Sequence, residues 1–208
     1  MSSLLAVLTG VLVGSLVNVF VNFEGRYKPL IKWYFTLYYQ NARSIFTTAG
    51  LGLIFYIVYT KYGTGFCSLS YMILTAILFA ASIKDIQNRI IPNKLIVLGL
   101  ILGVILNCLF FSFGRIADSL TTFVLAGGIL LSISFVSKGG LGIGDAKLIA
   151  CTGMLLGAQK TISVMIISFL ASALFGVFSV LFKKLNRKSA MAFAPFVLFG
   201  VVLTIITG

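Results

Sequence analysis

Two aspartates, Asp85 and Asp145, are the residues of this sequence best suited to do chemistry. The 208 residues include only four acidic side chains, and the other two are Glu24 and Asp118. There is no histidine in the chain. Its absence excludes the Ser-His-Asp and Cys-His nucleophile systems and the HExxH type of zinc site. A pair of carboxylates is therefore the one peptide-cleaving apparatus that the sequence offers.

Two carboxylates held a few ångströms apart behave differently from a single one. Like charges at that distance cannot both ionise easily, so the pair retains and shares one proton. The ionised member can then take a proton from water, while the protonated member polarises a peptide carbonyl. This is aspartic peptidase chemistry, and it requires a fold that brings Asp85 and Asp145 together.

Asp145 follows a glycine-rich stretch within residues 139–148, GGLGIGDAKL. Gly142 and Gly144 lack a Cβ, so the backbone there is expected to take φ > 0 and to let an extended substrate approach closely. Taken alone, such a string also fits simple loop flexibility. Lys147 either favours the ionised form of the pair or is one more cytoplasmic positive charge, and both alternatives stay open.

The composition indicates a membrane protein. Mean hydropathy is +1.12 and charged residues make up 10% of the chain, against about 25% in soluble domains. Crossing a bilayer takes roughly 17–25 apolar residues, and seven of the eight long charge-free runs reach that length. The runs are 1–23, 44–60, 62–83, 95–114, 119–137, 148–159, 161–182 and 189–208. We predict an all-α polytopic fold of about eight transmembrane helices, with the N-terminus outside. One short helix is expected after residues 142–145, GIGD, which we call the GxGD stretch.

The distribution of Lys and Arg predicts the orientation, because these residues accumulate in cytoplasmic loops. With eight spans and the N-terminus outside, thirteen of the 16 lie inside. If 148–159 did not cross, the split would fall to ten against six. Asp85 and Asp145 are then cytoplasmic, whereas Asp118 lies outside and is expected to cap the helix of run 119–137. The three Lys and Arg residues predicted to lie outside are Lys61, Arg115 and Lys160.

The remaining features predict a single domain, 1–208. Its first charge-free run, 1–23, is expected to be a membrane span of the mature protein and not a cleaved signal peptide. Its one sizeable polar insertion, 24–43, is basic and aromatic and is expected to lie in the cytoplasmic membrane interface. Cys67, Cys108 and Cys151 form no CxxC pair, so they predict small buried side chains and no metal site. The net charge of +12 follows from the loop charges, and we predict no nucleic-acid partner.

Four motifs together resemble one family. Residues 82–94, SIKDIQNRIIPNK, resemble the D…RIIPN motif of bacterial prepilin leader peptidases, and residues 142–148, GIGDAKL, resemble their GxGD motif. Residues 14–19, GSLVNV, are similar to the N-terminal GSFLNV element, and residues 194–196, APF, to a GPF element of the last span. The matches follow the family's order and cover nearly the whole chain. Within the first motif, Pro92 is expected to begin the fourth helix.

The resemblance implies a multi-pass GxGD aspartic peptidase of the bacterial plasma (inner) membrane. Such an enzyme cuts the leader peptide from type IV prepilin-like precursors at the cytoplasmic membrane boundary. The catalytic pair would be Asp85 and Asp145, with Gly142, Gly144 and Lys147 as supporting residues of the motif. The implied partners are the lipid bilayer and a precursor with a basic leader and a hydrophobic helix. Cleavage would need no cofactor and no metal.

One departure from the family concerns methylation. Its longer, bifunctional members carry a cytoplasmic domain with two zinc-binding CxxC pairs, and they also N-methylate the trimmed pilin. This chain has the segment 24–43 in that place, without a cysteine. The departure predicts cleavage without methylation, and S-adenosylmethionine would be a cofactor only if methyl transfer were retained.

Two other classes of function remain open. In an ion-coupled transporter or channel, Asp85 and Asp145 would bind or relay ions, and the short span 148–159 is typical of such proteins. Both acids fall at one face of the membrane, however, whereas transporter sites lie near its middle. The third class is a non-enzymatic assembly factor of a pilus machine.

Overall fold

The computed structural model describes residues 2–22, 42–137, 140–182 and 191–208. These ranges contain eight α-helices and no strand, which confirms the predicted all-α class. All but the last two residues of the insertion 24–43 lie outside the described residues. We number the helices α1 Ser2–Asn22, α2 Ala42–Tyr62, α3 Phe66–Asn88, α4 Asn93–Leu109, α5 Phe113–Val136, α6 Ile143–Leu156, α7 Ala158–Leu181 and α8 Ala194–Thr207.

The helices fall into two length classes. By length and composition, α1, α2, α3, α5 and α7 are able to cross a membrane. Helix α4 has 17 residues, and α6 and α8 have 14 each. The polytopic fold and the short helix after the GxGD stretch are confirmed. Runs 95–114 and 189–208 predicted longer helices, but residues 110–112 lie outside α4 and residues 191–193 lie outside α8. Charge counting does not distinguish such uncharged residues from helix.

Neighbouring helices pack antiparallel, so their ends form two groups. Asp85 lies in the last turn of α3 and Asp145 in the first turn of α6, as predicted. We call this side of the bundle the aspartate end. At the opposite end, Lys61 of α2 donates hydrogen bonds to the carbonyls of Ile205 (3.0 Å) and Ile206 (2.7 Å) of α8. The last turn of α8 therefore lies beside the last turn of α2, and its first residue lies at the aspartate end.

Helices α3 and α6 form the centre of the bundle. In the most apolar 18-residue stretch of α3, 61% of the residues are buried, which is the largest share among the five long helices. The corresponding share in α7 is 17%. Glycines let other helices approach α6 closely: Gly99 of α4 faces Cys151, and Gly127 of α5 faces Ala150. Both aspartates thus belong to helices at the centre of the described bundle.

The three cysteines were expected to be buried, and this is wrong for two of them. Cys151 is buried in α6, but Cys67 and Cys108 are exposed at the opposite end of α3 and α4. A small apolar side chain near the surface of a membrane protein has no need of protein cover, because lipid can provide the apolar surroundings.

Asp118 caps a different helix from the one expected. Helix α5 begins at Phe113, so Asp118 lies in its second turn and cannot be its N-cap. Its carboxylate instead accepts a hydrogen bond from the N–H of Ala158 at 3.2 Å, the first residue of α7. Gly157, with φ 74°, links α6 to α7 in direct contact with Asp118. Because Asp118 ties α5 to this one-residue link, it helps to fix where α6 ends.

The two shortest helices, α6 and α8, begin below the level at which the long helices end. Fourteen residues span about 21 Å, against about 36 Å for the 24 residues of α7. Since α6 and α7 meet at Gly157 and run back to back, the first turn of α6 lies about 15 Å short of the last turn of α7. The shortness of α6 therefore leaves a recess at the aspartate end.

The packing of α1 on α2 gives a prediction for stability. A Cβ at Gly10 would lie 2.8 Å from Gly52 Cα and 2.9 Å from the Leu51 carbonyl oxygen, which are backbone atoms. We expect Gly10→Ala to lower the thermal unfolding midpoint in detergent, at a cost of roughly 1–3 kcal/mol. Gly128→Ala is the matched control, because Gly128 of α5 has no heavy atom within 4 Å of a built Cβ. Equal effects of the two changes would contradict this packing.

Candidate active site

Asp85 is a nearly enclosed carboxylate at the end of α3, with 5% of its surface exposed. The helix stops one turn later at Arg89, whose φ of 53° and ψ of 34° are left-handed. The Arg89 N–H closes the last turn on the Asp85 carbonyl oxygen at 2.8 Å. A left-handed residue is a common helix terminus, and it turns the chain into the short 89–92 loop.

The Asp85 carboxylate is bound to another helix. Its Oδ2 accepts a hydrogen bond from the N–H of Ala194 at 3.0 Å, and Ala194 is the fully buried first residue of α8. The residue pair is separated by 109 positions along the chain. The APF motif of residues 194–196 therefore has a structural role beside Asp85, which the sequence comparison alone did not indicate.

Asp145 is held by its own helix. It is the third residue of α6, and Gly142 is the N-cap. The half-buried Asp145 carboxylate accepts a backbone hydrogen bond from Gly142. A carboxylate in the first turn that reaches back to the N-cap N–H is one half of a capping box. This contact orients the side chain at the mouth of the helix.

The glycines of the GxGD stretch are needed for close packing and not for an unusual backbone conformation. Gly142 has φ −67°, Gly144 lies inside α6, and neither is among the residues with positive φ, so that expectation is wrong. A Cβ at Gly142 would lie 2.7 Å from Asp145 Oδ2, and one at Gly144 would lie 3.3 Å from Ile91 Cβ. The missing side chains thus leave room for the Asp145 carboxylate and for the 89–92 loop.

Asp85 and Asp145 line the same cavity, which has a volume of about 1040 Å³. The two carboxylates are close enough for their charges to interact. The other walls come from the 89–92 loop, the first turns of α6, the middle of α7 and the residues before α8. These include Arg89, Ile90, Ile91, Asn93, Phe169, Ser172, Ala173, Met191 and Phe193. The fold therefore assembles the recess, both acids and an adjoining apolar wall into one site.

The apolar wall is held by aromatic contacts between α7 and the start of α8. The rings of Phe169 and Phe193 lie 5.2 Å apart, and those of Phe175 and Phe196 lie 5.6 Å apart. Sequence reasoning did not single out any of these aromatic residues. Helix α7 is apolar with serines scattered along it, so its sequence does not distinguish the residues facing the cavity from those facing lipid.

Lys147 also lines the cavity, and its Nζ donates a hydrogen bond to Asn93 Oδ1 at 3.2 Å. This contact joins α6 to the start of α4. Pro92 is the N-cap of α4, with φ −65°, which places it within one residue of the predicted helix start. The positive charge of Lys147 lies in the same cavity as both carboxylates, but its influence on them stays a prediction.

Asn18, from the GSLVNV element, lies between α1 and α2. Its Nδ2 donates to the Ser44 carbonyl at 3.1 Å, and its Oδ1 accepts from the Thr47 hydroxyl at 2.8 Å. These contacts tie together the first two helices, and Asn18 is 6% exposed. In this structure the N-terminal motif therefore supports the helix pair beside the site.

The comparison with protein families decides the class of the chain. The profile of the type IV leader peptidase family matches residues 72–177, which is half of the chain and includes Asp85 and Asp145. The chain belongs to the type IV leader peptidase family. Proteins of this family reside in the inner membrane, and five helices here are able to cross one. The chain is accordingly a multi-pass protein of the plasma membrane.

Curated relatives agree with this assignment. The prepilin leader peptidase/N-methyltransferase of Bacillus subtilis (strain 168) is 27% identical over 144 residues, which cover 66% of this chain and 55% of that protein. The protein of the same name from Pseudomonas putida is 28% identical over 152 residues, 71% of this chain and 52% of the relative. The chain spans about half the length of the curated relatives it matches. No solved structure matches it significantly.

Proposed function

We propose that this protein is a membrane aspartic endopeptidase that removes the leader peptide from type IV prepilin-like precursors. The observation that carries the proposal is the shared cavity of Asp85 and Asp145, two of the four acidic residues of the chain. Membership of the leader peptidase family and the names of the relatives support the substrate class. The same findings do not favour an ion-coupled transporter or channel.

The mechanism uses one water molecule and the two carboxyl groups. The ionised aspartate takes a proton from water as the oxygen attacks the scissile carbonyl, while the protonated aspartate donates to the carbonyl oxygen. The resulting tetrahedral species collapses when the C–N bond breaks and the leaving nitrogen accepts a proton. The aspartate that took the water proton gives it to the leaving nitrogen. The other aspartate recovers its proton from the hydroxyl formed at the carbonyl oxygen, so the pair returns to its starting state.

The position of the cavity fits a precursor with a basic leader and a hydrophobic helix. The excess of Lys and Arg predicted for the cytoplasmic loops supports a cytoplasmic location of the aspartate end, where a basic leader would also remain. Helix α7 borders the cavity with Phe169, Ser172 and Ala173. Only 17% of the residues in its most apolar stretch are buried, so most of its surface is open to lipid. A substrate helix in the bilayer can therefore approach the recess from the side of α7, with its scissile bond at the cytoplasmic boundary.

The catalytic pair is tested by single isosteric changes. We expect Asp85→Asn and Asp145→Asn each to reduce leader cleavage by roughly 10²–10⁴-fold, because an amide cannot exchange the shared proton. Cleavage is measured by co-expression with a candidate precursor and N-terminal sequencing of the product. Asp118→Asn is the matched control: it makes the same change at the opposite end and retains an oxygen for the Ala158 N–H. Substantial cleavage by either active-site variant would rule out the pair.

The role of Gly142 gives a second test. A Cβ at this position would lie 2.7 Å from Asp145 Oδ2, so Gly142→Ala must displace the carboxylate. We expect at least a tenfold loss of cleavage, in line with the cost of misplacing a reacting group, with the protein still in the membrane. Gly114→Ala is the control, because a Cβ there meets no heavy atom within 4 Å. Normal cleavage by Gly142→Ala would show that the position of this carboxylate is not critical.

We also propose that the product is not methylated. The relatives are named as both peptidases and N-methyltransferases, but these 208 residues contain three cysteines and no CxxC pair. We expect mass spectrometry of a precursor processed by this protein alone to show a free N-terminal amine. A product that is heavier by one methyl group would contradict this and imply use of S-adenosylmethionine.

A further inference from the structure

The first residue of α8 directs its backbone N–H at a side chain of another helix. The first four N–H groups of a helix have no partner within it. In α8, Pro195 has no N–H, and the N–H groups of Phe196 and Val197 donate to the Phe193 carbonyl at 2.9 and 3.3 Å. The N–H of Ala194 donates outside its own helix, to Asp85 Oδ2 at 3.0 Å. The Asp85 carboxylate therefore lies at the N-terminal, positive end of the α8 dipole.

The environment of this contact makes it specific for Asp85. Ala194 is fully buried and Asp85 is 5% exposed, so bulk water does not compete for the bond. A donor that meets a buried carboxylate favours its ionised form, and the positive end of a helix dipole acts in the same direction. Asp145 differs, because it is half-exposed and its backbone donor belongs to its own helix.

We propose that the backbone N–H of Ala194 is a positioning group that keeps Asp85 as the ionised, water-activating member of the pair and leaves the shared proton on Asp145. This inference rests on the proposed function. In the reaction, Asp85 takes the proton from water and Asp145 donates its proton to the carbonyl oxygen. On collapse, Asp85 gives its proton to the leaving nitrogen and Asp145 recovers its own.

Among the residues that the structure describes, the charged side chains on the elements around Asp85 are the following. From its own helix and loop come Lys84 and Arg89, from α4 comes Lys94, and from α6 come Asp145 and Lys147. Of these, Arg89, Asp145 and Lys147 line the cavity. Helices α1 and α8 contain no ionisable side chain, and α2 has Arg43 in its first turn at this end. The experiment must therefore change the Ala194 donor and leave every one of these side chains in place.

An amide-to-ester replacement makes that change with the fewest other effects. Ala194→lactic acid, introduced into the full-length protein by nonsense suppression, replaces the N–H by oxygen and keeps the side chain. The pH dependence of kcat/KM is measured in detergent with a purified precursor, since its acidic limb reports the essential base of the free enzyme. We expect this limb to move to higher pH by about one unit, because the ionised form loses a donor.

The structure contains a matched control for this ester. Ala158, the first residue of α7, donates its N–H to the Asp118 carboxylate at the opposite end, just as Ala194 donates to Asp85. Ala158→lactic acid removes an equivalent helix cap, and its acidic limb is expected to stay in place. Ala194→Gly, which keeps the N–H, should also leave the limb unchanged.

A second variant changes the same helix terminus in the opposite sense. Pro195→Ala adds an N–H to the first turn of α8 and should move the acidic limb to lower pH. An unmoved limb in both Ala194→lactic acid and Pro195→Ala would overturn the proposal, even if the rate falls at every pH, because the contact would then be structural only. A shift confined to the alkaline limb would also overturn it by assigning the acid role to Asp85. Failure of the unaltered protein to cleave any precursor would instead refute the proposed function.

Discussion

A buried carboxylate is costly unless polar groups surround it, and this constraint organises the structure around Asp85 and Asp145. Buried ionisable side chains are stabilised by partners or by water. Asp85 meets the Ala194 N–H at 3.0 Å, and Asp145 meets the backbone of Gly142. Both donors are at helix N-termini, where unpaired N–H groups and the helix dipole favour negative charge. Backbone N–H groups thus contact both carboxylates directly, while the basic residues Arg89 and Lys147 line the same cavity.

The same constraint explains why two helices are short. A helix N-terminus can reach a site recessed below the ends of the long helices only if that helix begins there, and α6 and α8 have 14 residues each. Irregular backbone at such depth is tolerated where it lines a cavity. The segments before α6 and α8 do so, with Gly140, Leu141 and Phe193 among the lining residues. The length of these helices and the depth of the cavity are therefore one feature.

The sequence predicted the parts of the fold that depend on local composition. Charge-free runs located the eight helices found in the described residues, and the scarcity of acids pointed to Asp85 and Asp145. Contacts between distant residues were not predictable in this way. The hydrogen bond from Ala194 to Asp85 spans 109 positions and that from Ala158 to Asp118 spans 40, and neither follows from any periodicity. The φ angle of Gly142 was also missed, because the need for a glycine there comes from the Asp145 side chain.

Two contacts of the same kind show how location decides what an aspartate does. Asp118 and Asp85 each accept the N–H of an alanine that begins a helix. Asp118 is exposed beside the one-residue link at Gly157, where water can solvate it and its charge has little effect on neighbours. Asp85 is 5% exposed and shares its cavity with a second carboxylate. In the mechanism proposed above, the same contact acts on a pair of acids that share a proton, and so a helix cap becomes a means of deciding which acid holds that proton.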